Sequence, residues 1–307
     1  MDAVDHALNL LPPALASAVE KSQTASRLWE IRLRLGAPLG LTVAGDNLFL
    51  DAQGRRCSAQ AGLLCTAEHL QEVLQRATGR SLYRYEEFLR RGFITTSHGI
   101  RLGVCGRAGP GKDTREGVDL IGLSSVNLRL PHSVPGSATQ ALAFFRQYPL
   151  ASTLIVAPPG AGKTTFLRDL ALRLSLGELD KVYRVAVVDE REELFFPGLG
   201  RPTGALDVLS AYPKAWGLEC ALRVMNPQVL CCDEIGNPRE CEILSQQANA
   251  GVAVLATLHG QEYSQIMARP AVGKLIHDGV FSYLCFLQQE RGVRRAVFYS
   301  SRGECLG

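Results

Sequence analysis

Three absences narrow the reading of this chain of 307 residues. No apolar stretch approaches about 18 uninterrupted residues, so no segment reads as a membrane span. The nine cysteines are odd in number and include no Cys-x-x-Cys pair. They fit neither a disulfide framework nor a zinc ribbon and point to a reducing cytosol. No charge of one sign dominates. The net charge is +3, with Lys+Arg against Asp+Glu at 17 to 13 over residues 1–150 and 16 to 17 over 151–307. So small an excess does not argue for nucleic acid. The opening stretch MDAVDHALNLLPPALASAVEK carries acids and two prolines. A secretory leader needs a basic start and an unbroken apolar run, so none is expected. Internal repeats and low-complexity tracts are also missing.

What is present centres on Ala157–Thr165, APPGAGKTT. The apolar run Leu154–Val156 before it reads as a buried strand. After it, Phe166, Leu167, Leu170, Leu172 and Leu174 read as a largely buried helix. Strand, glycine-bearing loop, Lys-Thr and helix form the arrangement in which backbone N–H groups and a helix N-terminus cradle a triphosphate. The nucleotide is therefore assigned to Ala157, Pro158, Pro159, Gly160, Ala161, Gly162, Lys163, Thr164 and Thr165. Gly160 and Gly162 bring no side chain to block phosphates. Lys163 reaches the β- and γ-phosphates, and the Thr164 hydroxyl ligates Mg²⁺. ATP and Mg²⁺ are the expected cofactors. A second Gly-Lys, in Gly106–Asp113 (GRAGPGKD), ends in an acid that repels phosphate and precedes no apolar helix. Its Gly-Pro-Gly chemistry predicts a polar loop between strands.

Asp233 and Glu234 close the apolar strand Val229–Cys232. Asp233 is expected to hold Mg²⁺ and Glu234 to polarise the attacking water, an acid that binding alone does not require. Asp189, Glu190, Arg191 and Glu193 end another strand on the same rim. Glu190 is a candidate for positioning water, and Arg191 for meeting phosphate or a neighbouring subunit. Thr257 and His259, in ATLHG after a strand Val252–Ala256, are placed to sense the γ-phosphate. The expected catalytic set is Lys163, Glu190, Glu234 and His259, with Thr164 and Asp233 on the metal.

The pattern changes along the chain. Residues 1–28 read as helical around Pro12-Pro13, 31–35 as a half-buried strand, and 41–50 as two short strands about Gly45-Asp46. Residues 66–78 and 82–91 read as helices, the second closed by Gly92. Residues 93–104 form a hairpin turning at His98-Gly99, and 121–130 a further strand. Pro131–Gly136 is the expected boundary. The smaller N-terminal α+β domain is then 1–135 and the ATPase domain 136–307. In the latter, strands 184–190, 228–234 and 252–256 alternate with helices. One helix is opened by Asn237, Pro238 and Glu240 and runs toward Ala250. That alternation predicts α/β architecture, a parallel sheet with helices on both faces and ligands at the strands' C-terminal ends.

Residues 222–259 resemble the core of hexameric type II and type IV secretion ATPases. They share the Leu-Arg ahead of a Pro, the Glu ending the acidic strand, and the Thr-x-His box. A wider resemblance, to the stage III sporulation protein AA family, covers most of the chain. It is carried by EIRLRLGAPL (30–39), SLYRYEEFLRRGFITTSHGIRLGVCG (81–106), SSVNLR (124–129), PPGAGKTTFLRDLA (158–171), VVDEREEL (187–194), DVLSAYPKAWG (207–217) and RVMNPQVLCCDEIG (223–236). Ala205-Leu206 depart from that family's usual Arg-Thr, and Gly236 from an Arg usual in secretion ATPases.

The resemblance implies a RecA-like P-loop ATPase domain behind a smaller N-terminal domain. It also implies a ring oligomer, a hexamer by family, in which a neighbour supplies positive charge. Arg101, Arg107, Arg129, Arg191 and Arg223 are the candidates for that role. The expected protein is a cytoplasmic motor for the membrane channel complex that a mother cell builds against the forespore. A membrane protein of that complex would recruit it peripherally. Two other readings share the core. One is a RecA-like motor on nucleic acid, but aromatic stacking candidates are thin beyond Tyr83 and Tyr85, so no nucleic-acid partner is expected. The other is a nucleotide-dependent scaffold that does not hydrolyse, against which Glu234 speaks.

Overall fold

The structure, a computed structural model, describes residues 3–81, 93–96, 98–110, 118–131, 134–195, 204–247, 251–290 and 293–306. Of these, residues 3–131 and 134–306 form two separate compact units.

The first unit opens with α1 (Ala3–Leu10) and α2 (Pro13–Lys21). Pro12 and Pro13 separate the helices, because proline cannot donate into a preceding turn but suits a first helical position. Then come β1 (Leu28–Arg34), β2 (Gly40–Val43), β3 (Asp46–Leu50), β4 (Arg56–Cys57), α3 (Ala67–Thr78), β5 (Phe93–Thr95), β6 (Arg101–Pro110) and β7 (Val118–Arg129). The sheet order is β4-β3-β2-β1-β7-β6-β5, antiparallel throughout. Ile31 and Leu33 are buried between more exposed Arg32 and Arg34, as their alternation predicts. Thr66 caps α3: its hydroxyl accepts the His69 N–H while the His69 ring accepts the Thr66 N–H.

One expectation is corrected here. Gly106–Pro110 do not form a loop but continue β6, with Gly106 opposite Leu123 and Arg107 opposite Gly122. Register shifts between Cys105 and Gly106 and between Arg107 and Ala108 absorb the irregular residues. Ladder hydrogen bonds to β7 outweigh local turn preference. The rest of that stretch, and the helix expected over 82–91 with Gly92, lie outside the described residues.

The second unit contains α4 (Thr139–Phe145), β8 (Thr153–Ala157), α5 (Lys163–Ser175), β9 (Val185–Asp189), β10 (Leu206–Ser210) and α6 (Lys214–Cys220). It continues with β11 (Val229–Cys232), α7 (Pro238–Gln247), β12 (Ala253–His259), α8 (Tyr263–Met267), α9 (Pro270–His277), β13 (Tyr283–Glu290) and β14 (Val293–Ser300). The sheet order is β10-β9-β11-β12-β8-β13-β14. It is parallel as far as β13 and closes with the antiparallel β13–β14 pair.

Every residue of β8, β9 and β11 is buried, as a sheet covered on both faces requires. Ile155, Val187, Val229 and Cys231 pack with α4 and α5, including Phe166, Leu167 and Leu170. Leu154, Val156, Val188, Leu230 and Cys232 pack on the other face with α6, α7 and α9. Adjacent Cys231 and Cys232 thus serve opposite cores as small hydrophobes. The strand expected to end at Ala256 extends through His259, because β12 stays paired with β8 as far as Ala157. Thr257 and His259 are therefore strand residues rather than loop residues.

Candidate active site

The ends of β8, β9, β11 and β12 bring the expected residues to one rim. After β8 the chain turns through Pro158–Gly162 into α5, with φ of +75° at Gly160 and +88° at Gly162. Those angles favour glycine and let the loop wrap onto the helix N-terminus. Thr165 anchors the loop's far side, its carbonyl accepting the Ser137 hydroxyl. The Asp169 carboxylate, on the next turn of α5, accepts the N–H groups of Gly136 and Ala138.

Lys163 is buried, and its Nζ donates to the carbonyls of Ala157 at 2.9 Å and Pro158 at 3.1 Å. Burial lowers its pKa, opposed by the charges of Asp233 and Glu234. The same Nζ lies 2.8 Å from Nδ1 of His259, whose Nε2 lies 3.3 Å from the Glu234 carboxylate. An ammonium only donates, so Nδ1 accepts, and a neutral ring then carries its proton on Nε2, facing Glu234. The lysine is hydrogen-bonded to the imidazole, and the imidazole lies beside the carboxylate.

Asp233 joins α5 to β12. Its carboxylate accepts the Thr164 hydroxyl at 2.8 Å and, on its other oxygen, the Thr257 hydroxyl. Thr257 in turn accepts the Glu234 N–H at 2.8 Å. Glu234 adopts a left-handed backbone, φ +50°, costly for a residue with a Cβ. Its carbonyl accepts Lys214 Nζ at 2.9 Å, and its carboxylate also meets Arg191 at 3.1 Å. With His259 and Thr257, these partners hold the strained residue in place.

Glu190 lies in the same cleft, lined by Asp189, Glu190, Arg191, Lys214, Asp233 and Glu234. Its carboxylate accepts the N–H of Lys214, the first residue of α6, so it also caps that helix. Arg191, expected to meet phosphate or a neighbour, pairs within the chain with Glu234. One contributor, Lys214, has no signal in the sequence. Lys214 sits in PKAWG, an ordinary helix start, and its contacts with Glu234 and Glu240 cross 20 and 26 residues of chain (214 to 234, 214 to 240). Asp189, on the expected acidic rim, faces inward to its own turn and not to the cleft alone.

Asp189 is 2% exposed and accepts the N–H groups of Glu193, Leu194 and Phe195. Burial pushes its carboxyl up to about 6 against those hydrogen bonds. The buried Arg168 guanidinium donates to the carbonyls of Glu193 and Leu194, fixing the same turn. Asp189→Ala strands three inward N–H groups, each worth about 1 kcal/mol or more. A loss of roughly 3 kcal/mol in unfolding free energy is expected by chemical denaturation. A loss under about 1 kcal/mol would show that the turn stands without it.

Thr164 and Asp233 present hard oxygen donors 2.8 Å apart. Among the described residues, no group of three or more His, Cys, Asp or Glu side chains is placed to hold a metal. This set fits Mg²⁺ carried in by phosphates, which the ion prefers to a dedicated protein cage.

The sequence profile described as "Sporulation stage III, protein AA" matches residues 2–306. The chain is 32% identical over 292 residues to "Stage III sporulation protein AA" of Bacillus subtilis, covering 92% of this chain and 90% of that one. Among solved structures, the ATPase DotB of Yersinia pseudotuberculosis matches with TM-score 0.63 at 16% identity, over 90% of this chain and 76% of that one. The pilus retraction motor PilT, solved with bound ADP, matches with TM-score 0.62 at 16% identity, over 94% of this chain and 82% of that one. At such identity the likeness bears on the fold, which is the α/β RecA-like fold of secretion ATPases.

Proposed function

Because the chain belongs to the sporulation stage III protein AA family, we propose that it is a Mg²⁺-dependent ATPase, a ring-forming motor that serves a membrane channel complex between mother cell and forespore. One observation carries the enzymatic part. Lys163, Thr164, Asp233, Glu234 and His259 come from α5 and the ends of β11 and β12. One hydrogen-bonded group joins Lys163 to His259 and another joins Thr164, Asp233, Thr257 and Glu234; they meet where His259 lies 3.3 Å from the Glu234 carboxylate, beside a phosphate loop. Lys163 would bind the β- and γ-phosphates, Thr164 and Asp233 would hold Mg²⁺, and Glu234 would orient water and draw its proton. Bound Mg²⁺ would neutralise charge on the phosphates. His259 stands between lysine and glutamate and keeps them in register, and Glu190 borders the water's side.

Arg101 lies over the Phe93 ring, and Arg129 pairs with Glu30. Arg107 and Arg223 pair with no carboxylate among the described residues. They are the better candidates to reach a neighbour's γ-phosphate, which a ring would allow. No helix among the described residues is long and apolar enough to cross a membrane, so membrane work would require a docked partner.

The test pairs ATP turnover with vesicle flotation. Turnover should need Mg²⁺ and be indifferent to single-stranded DNA or RNA. The chain should float only with vesicles carrying the membrane proteins of the channel complex. Several-fold stimulation by nucleic acid without flotation would move the motor onto nucleic acid, and no turnover at all would leave a scaffold.

A further inference from the structure

Arg294, near the start of β14, lies against the phosphate loop from the side away from the acids. A Cβ built on Gly162 would come 2.6 Å from Cζ and 2.9 Å from Nη1 of Arg294. Gly160 is different: nothing stands within 4 Å of its imagined Cβ, so torsion alone favours glycine there. Gly162 is favoured by its φ, and the end of the flexible Arg294 side chain rests in the space beside it. No carboxylate pairs with Arg294 among the described residues. Its cross-strand partner is Gln289, which is uncharged. A guanidinium with no carboxylate partner among the described residues, resting on a loop shaped for anions, is suited to bind phosphate.

Strand order decides which phosphate. Asp189 and the Asp233-Glu234 pair end β9 and β11, and His259 ends β12, all on one side of β8. β13 and β14 lie on its other side. Nζ of Lys163 leans toward β12, at His259. A triphosphate with its γ end at Glu234 therefore runs back across the loop toward Gly162 and Arg294.

We propose that Arg294 binds the α-phosphate end of the nucleotide, a positioning residue that ATP and ADP share rather than a sensor of the γ-phosphate. The inference rests on reading Ala157–Thr165 as a nucleotide site. Arginine suits the task because its parallel N–H donors match phosphate oxygens.

The experiment titrates the full chain, its Arg294→Ala, Arg294→Gln and Arg294→Lys variants, with fluorescent ADP. The same set carrying Glu234→Gln, to suppress turnover, is titrated with fluorescent ATP. Arg294→Ala should weaken both nucleotides by about tenfold or more, and by the same factor. Arg294→Gln, which retains stem and bulk, should lose as much, and Arg294→Lys should recover part. The side chain is exposed, so thermal midpoints should match the parent's. Weakening of ATP alone would assign Arg294 to the γ-phosphate and overturn the proposal. Unchanged affinity for both would make it a surface side chain and overturn it too. A parent chain that binds neither nucleotide overturns the nucleotide reading itself, and this inference with it.

Discussion

Glu234→Gln is expected to bind ATP as the parent does and to turn it over roughly 10²–10³-fold more slowly. The amide matches the carboxylate in size but cannot take a proton from water. Its structural cost is small. The Arg191 and Glu234 side chains are 62% and 40% exposed, and a solvated pair of that kind contributes at most about 1 kcal/mol. The left-handed backbone is no harder for Gln than for Glu, and the bonds that hold it, from the Glu234 N–H to Thr257 and from Lys214 to the Glu234 carbonyl, use main-chain atoms. Nucleotide titration beside phosphate release checks this. Turnover equal to the parent's would remove Glu234 from the chemistry. Lost binding would give it a role in the ground state instead.

Lys163→Ala is expected to lower affinity for ATP on the order of 10²–10⁴-fold and for ADP by less, and with it the turnover at any practical ATP concentration. Two charge-assisted bonds to phosphate, at about 1.5–3 kcal/mol each, set that scale. Lys163 is buried, so the variant has to be judged against misfolding. The two carbonyls that Nζ leaves keep other donors, Gly260 N–H for Ala157 and Ala161 N–H for Pro158. The loop should therefore stay built, and the thermal midpoint should fall by only a few degrees. A lysine that reaches both β- and γ-phosphates would make ATP suffer more than ADP. An unchanged ADP affinity in a folded variant would show that the ammonium serves its own loop and not the nucleotide.

The two variants divide the site. Lys163→Ala tests whether phosphate is held, and Glu234→Gln whether water is used once it is. A chain that binds but never hydrolyses, in parent and Glu234→Gln alike, would be the scaffold.

The sequence alone determined what depends on neighbours along the chain. Leu154–Val156 announce a buried strand, Gly160 and Gly162 a loop open to phosphate, and Phe166, Leu167, Leu170 and Leu174 the buried face of a helix. Pro238 and Glu240 likewise start α7, where the Glu240 carboxylate accepts the Gly236 and Asn237 N–H groups. Tertiary structure decided whatever depends on residues remote in sequence. Gly106–Pro110 became strand because β7 lay alongside, against their own turn chemistry. Glu234 took a left-handed conformation because Lys214 and Thr257, 20 residues before and 23 after, fix its backbone. Arg294 reached Gly162 across 132 positions (162 to 294) because β13 pairs with β8 and carries β14 beside it. Local propensities amount to tenths of a kcal/mol per residue, whereas the hydrogen bonds of a paired ladder contribute about 0.5–1.5 kcal/mol each and add along the strand. Where the two conflict, the distant partner prevails.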